Sequence, residues 1–158
     1  MTAPVGSPPE EFVEPCAVGA EWNETAPRPT LLLLETRLVA VVRLAEPESE
    51  SSALPETRAT DRAAYGLIVF DRCQAFTFGP PGDTELANHR LFARGLEASA
   101  AHTVPRSSWA VELGAPDLTH FVLTFSSGTL ECLARSVSSG RRVATLEEVL
   151  AHIGSWLS

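Results

Sequence analysis

A chain of 158 residues, 44% hydrophobic and 20% charged, is sized for one ordinary core and reads as folded rather than disordered. Its formal charge of -8 is spread along the chain, and Arg141-Arg142 is the only basic pair, which argues against a phosphate-backbone partner and so against nucleic acid. All twelve cations are arginine, so there is no lysine for Schiff-base or covalent pyridoxal chemistry.

Residues 1–29 hold six of the twelve prolines. They read as an extended arm that cannot be helix or central strand. Phe12, Val13 and Trp22 are its candidate anchors, with Trp22 expected to pack back onto the domain. The opening MTAPVGSPPEEF carries no basic residue and no apolar core, so no signal peptide is expected. Asn23-Glu24-Thr25 fits a glycosylation sequon without a secretory context to use it.

A single α+β domain is expected over 30–158. TLLLLETRLVAVVRLA reads as strand, interrupted at Glu35-Thr36-Arg37 as a tight hairpin or one long bent strand. The charges at Glu35, Arg37 and Arg43 keep this stretch from spanning a bilayer. The polar segment EPESESSALPETRATDR is a loop. In GLIVFDRCQAFTFG, two runs flank Asp71-Arg72 as a hairpin candidate, and Gly79-Pro80-Pro81-Gly82 stops the sheet.

Asp83 or Thr84 is placed to cap a helix carrying Leu86, Leu91 and Phe92 inward and ending near Gly95. A second short helix is expected over 107–113, with Ser107 as its cap, and Gly114 and Pro116 ending it. Residues 118–134 form a strand–turn–strand around Ser126-Ser127-Gly128, one face buried and the other partly covered. SVSSGRRVA reads as a loop. Thr145 with Glu148 then makes a capping box for a final amphipathic helix, its stripe formed by Leu146, Val149, Leu150, Ile153 and Leu157. The expected architecture is a curved, mostly antiparallel sheet or partial barrel of about five to six strands, with a mid-chain helical insertion and a closing helix.

Cys16, Cys73 and Cys132 are odd in number and widely spaced. They imply neither a disulfide framework nor a metal site, and suit reduced thiols in a cytoplasm. GxxxxGK, GxGxxG, HExxH, CxxC and GxSxG are all absent, so no cofactor and no metal are expected. The candidate chemistry lies in Asp83, Glu85, His89, His120 and Glu131. Glu85 and His89, four apart, would share a helix face as a carboxylate–imidazole pair, or stand there as an ordinary surface pair. His120 opens a strand, where a bond to nearby backbone is the simpler role. Glu131 interrupts an apolar strand and points either to solvent or into a pocket, where burial would raise its pKa. Ser107 before Trp109 reads as a cap, because no base for a nucleophilic serine is visible.

Phe78, Gly79, Asp83, His89, Gly95, Leu96, Ser107, Ser108, Trp109, His120, Phe121, Thr124, Phe125, Glu131, Cys132 and Ala134 carry a pattern FG-P-x-D…His…Gly-Leu…SSW…HF-x-x-TF…EC-x-A. It resembles that of a group of small bacterial proteins without an assigned activity, over about the second half of the chain. That group has His-Asp-Ser at the hairpin turn where this chain has Ser126-Ser127-Gly128. The resemblance implies a compact bacterial domain and no substrate.

The first functional expectation is a non-enzymatic accessory or protein-binding domain of a bacterial cytoplasm, immunity-like or a pathway partner, facing a basic protein rather than nucleic acid or membrane. The alternative is a small cofactor-free isomerase, cyclase or lyase using histidine–carboxylate acid–base chemistry between sheet and helices. Regulatory binding of a small molecule would use the same pocket. What separates them is whether Glu131, His120 and His89 converge.

Overall fold

A computed structural model describes residues 11–18, 21–22, 26–44 and 62–157. The first ten residues of the arm, the sequon and most of the polar loop after Leu44 lie outside this set. The described strands are β1 (Glu14–Pro15), β2 (Thr30–Leu34), β3 (Arg37–Arg43), β4 (Ala63–Asp71), β5 (Ala75–Gly79), β6 (Ala101–Thr103), β7 (Thr119–Phe125), β8 (Gly128–Ala134) and β9 (Ser136–Ala144). They form two antiparallel sheets, a five-stranded one in the order β1-β6-β7-β8-β5 and a four-stranded one in the order β2-β3-β4-β9. With helices α1 (Ser108–Glu112) and α2 (Leu146–Gly154), the class is α+β.

Period-two alternation explains why several strands are apolar on both faces. From β3 and β4, Leu38, Ala40, Val42, Ile68 and Phe70 meet Phe121, Leu123, Phe125, Leu130 and Cys132 of β7 and β8 between the sheets. The opposite faces of β3 and β4 present Val39, Val41, Tyr65 and Leu67 to Val149 and Ile153 of α2. On the outside of the five-stranded sheet, Val122 is covered by Leu86, Leu91, Leu96 and Val104. The chain thus stacks α2, one sheet, the other sheet, and an outer layer of short turns.

Three expectations are corrected. Residues 66–78 are not a hairpin: β4 lies in the four-stranded sheet and β5 in the other. The crossing is made at Arg72, which has φ 52°, while Cys73 N–H donates to Thr36 O at 2.7 Å and Gln74 N–H to Leu133 O at 2.9 Å. One flanking segment is thereby tied to each sheet. SVSSGRRVA is not a loop but the edge strand β9, paired to β4 along its length. Its polar side chains are mostly exposed, as an edge requires, so backbone pairing rather than burial holds it. Finally, the helix expected after Gly82 is two 3-10 turns, Asp83–Asn88 and Phe92–Arg94. Glu85 has φ -118° and ψ 19°, outside helical values, and no side chain caps the first turn. Leu86 and Leu91 are buried as expected, whereas Phe92 is 45% exposed.

The first hairpin and two of the caps are as expected. β2 and β3 are a tight hairpin with Glu35 at φ 55°. Ser107 Oγ accepts from Ala110 N–H to cap α1, and the Thr145–Glu148 capping box opens α2.

Candidate functional site

The β7–β8 hairpin sets the site. Its turn is Ser126-Ser127, so Phe125 pairs with Gly128 and Val122 with Glu131. His120 and Glu131 therefore lie diagonally on the outer face of the sheet, within reach of each other. The His120 side chain is fully buried and that of Glu131 is 19% exposed. Trp109 of α1 stands edge-on to the His120 ring at 5.2 Å between centroids.

A chain of hydrogen bonds runs through these groups. Ser107 Oγ lies 2.8 Å from His120 Nδ1, and His120 Nε2 lies 2.8 Å from Glu131 Oε1. Glu131 Oε2 lies 3.3 Å from His89 Nε2. His89 Nδ1 accepts from Leu91 N–H at 3.0 Å, so the ring proton sits on Nε2 and is donated to Glu131. His120 likewise gives Nε2–H to the carboxylate, which leaves Nδ1 to accept from the Ser107 hydroxyl. Burial pushes the Glu131 carboxyl up, but the hydrogen bonds from His120 and His89 outweigh it and hold it at about 2. The buried-carboxylate expectation of a raised value is thus corrected: two imidazole donors win over desolvation. Among the described residues no set of groups is arranged to hold a metal; here both Nε2–H groups are spent on the carboxylate.

The outer rim is charged. Arg90 Nη2 lies 3.8 Å from Glu131 Oε1, and Arg90 Nη1 lies 2.5 Å from Glu11 Oε2 of the arm. The other oxygen of Glu11 accepts from the backbone amide of Ser108, the residue after Ser107. Burial raises the Glu11 carboxyl, yet the Ser108 and Arg90 contacts leave it below its ordinary value.

Of the five candidate residues, His89, His120 and Glu131 converge. His120 does not bond to backbone as the simpler reading had it, and Glu131 is mostly buried against the two imidazoles. Asp83 stands apart: its oxygens accept Ser99 N–H at 3.0 Å and Ser99 Oγ–H at 2.5 Å, pinning Ser99 at φ 49°. Glu85 is exposed and not paired with His89. The helix that would have aligned them does not form. Ser107, Arg90 and Glu11 are the participants that sequence reasoning did not place there; the cap position of Ser107 was its one visible signal.

His102 lies in β6 and is buried, at 1% exposure. Its Nδ1–H donates to Val122 O at 3.2 Å and its Nε2 accepts Glu97 N–H at 3.1 Å. Burial lowers its pKa, outweighing the Val122 carbonyl and Glu97. A folded value below the unfolded one, about 6.5, means this group's support is complete above that pH and lost as pH falls through the folded value. Urea titrations across that window are expected to show an acid-side loss in the native chain that His102→Leu lacks.

No family model, curated protein or solved structure matches this chain. No helix among the described residues is long and apolar enough to cross a membrane.

Proposed function

We propose that this domain is a small cofactor-free enzyme of a bacterial cytoplasm, working by histidine–carboxylate acid–base chemistry. The observation that carries it is the Ser107–His120–Glu131–His89 chain. Its carboxylate is held ionised between two imidazole donors, and one imidazole keeps a free lone pair turned to a hydroxyl. That lone pair can take a proton while Glu131 stabilises the imidazolium that forms. The free thiols of Cys16, Cys73 and Cys132, none of them in a disulfide, support the compartment.

A second reading, the accessory protein-binding domain, is supported by Val111 and Leu113, 70% and 49% exposed on and just after α1. In that reading the hydrogen-bond chain only braces α1 against the sheet. The experiment is a turnover screen over activated esters, epoxides and ketones with acidic α-protons, run with His120→Gln and Glu131→Gln. Turnover lost in both folded variants is the expected result. Turnover surviving either variant, or none in both the native chain and Glu11→Ala, would sink the enzyme reading and leave the accessory one.

A further inference from the structure

The terminal hydroxyl of the chain has the surroundings of a nucleophile. Ser107 is bonded to an imidazole nitrogen at 2.8 Å whose partner nitrogen is held by a carboxylate at 2.8 Å. The two ring nitrogens exchange the roles they have in the serine-protease triad, but the chemistry asks only that one accept while the other donates. A triad is recognised by such geometry, so the missing GxSxG does not exclude it. Ser107 also lines a cleft of about 400 Å³ with Val104, Pro105, Arg106, Val111 and Leu118, space for a small, largely apolar group. At the next residue along the chain, the arm delivers a carboxylate to the Ser108 amide and the Arg90 guanidinium. The amide following a nucleophilic serine is a usual donor to the oxygen that becomes negative in acyl transfer.

We propose that Ser107 is the nucleophile of an acyl-transfer reaction on small carboxylic esters, and that the Glu11 carboxylate occupies the seat of the reacting oxygen. This rests on the acid–base reading of the relay and names its substrate class. Ser107 Oγ bonds to the ester carbonyl carbon as its proton passes to His120 Nδ1. The ester C–O bond then breaks, and the leaving alkoxide takes that proton away as an alcohol. Water, deprotonated by the same nitrogen, attacks the acyl-serine; the C–Oγ bond breaks, Oγ recovers the proton, and a carboxylic acid leaves. The carboxylate product and Glu11 are chemically alike, so the arm holds the site in a product-occupied form.

The test is labelling of the full chain by a fluorophosphonate, located by mass spectrometry, beside the ¹⁵N spectrum of His120. The expected result is a Ser107 adduct that forms about 10²-fold faster in Glu11→Ala, the scale of a freed oxyanion donor, and is absent in Ser107→Ala. Glu11→Gln, which keeps the bulk, is expected to fall between. No adduct in native chain or Glu11→Ala, with His120 Nδ1 seen to be unprotonated, would overturn acyl transfer and leave the relay standing. A proton found on His120 Nδ1 would overturn the relay itself. Equal rates with and without the Glu11 carboxylate would overturn the seat, and undiminished labelling in His120→Gln would overturn the base.

Discussion

Glu131→Gln lowers the stability of the fold by about 3 kcal/mol at neutral pH, and the difference from the native chain vanishes as acid protonates the native carboxylate. The carboxyl falls from its ordinary 4.5 to about 2 because His120 and His89 both donate to it, against the opposing push of burial. Such a shift is worth about 3 kcal/mol of preference for the ionised form. A folded value below the unfolded one contributes stability that is complete above about 4.5 and lost as pH falls through about 2. Glutamine keeps the shape but can accept from only one imidazole; its amide group meets the other N–H donor to donor, leaving a largely buried polar group unsatisfied. Chemical denaturation at pH 7 and pH 3 checks both parts, since the native chain and the variant should differ strongly at about pH 7 and converge toward about pH 2. A difference that stays constant across that range would mean the carboxylate is not the group the two imidazoles hold.

How much of this was legible depends on register. Alternation puts Glu131 on the face of Thr129 and Leu133, and His120 opposite Phe121. Whether those two faces coincide turns on one residue of the turn. A two-residue loop at Ser126-Ser127 pairs Val122 with Glu131 and puts His120 and Glu131 on the same side. Counting Gly128 into the loop slips the pairing by one and sends the two to opposite faces. No side chain in Ser-Ser-Gly reveals that choice. His89 was legible only as a residue type, because the helix pattern around it yields to two 3-10 turns that turn its ring to the sheet rather than to Glu85. Strand β9 was hidden for a different reason: an edge strand held by backbone pairing needs no apolar periodicity, and Ser-Ser-Gly-Arg-Arg has none. Two of the three expected caps form, because Ser107 and Thr145 act through bonds to amides a few residues away, while no side chain caps the turn at Asp83.

Trp22→Ala is expected to cost about 3–5 kcal/mol, the range for emptying a buried large aromatic site. Trp22 is 6% exposed within the layer between the sheets, stacked on Phe125 at 4.8 Å and 20°. Its Nε1–H donates to Thr124 O at 2.8 Å, so the arm is fixed by both packing and a buried hydrogen bond. Trp22→Phe separates these two, keeping a ring over Phe125 and orphaning the carbonyl contact, for about 1–2 kcal/mol. The measurement is the urea midpoint of each variant at constant slope. A loss below about 1 kcal/mol for alanine would mean the arm is a passenger on a core that closes without it. The expected larger loss has a second consequence. Trp22 enters the layer between the sheets while Glu11 reaches the outer face of the same five-stranded sheet, the arm rounding its edge as strand β1 beside β6, and Trp22 is the weightier anchor. Loosening it should free the Glu11 carboxylate from Arg90 and Ser108 without touching either, raising Ser107 reactivity in Trp22→Ala as Glu11→Ala does.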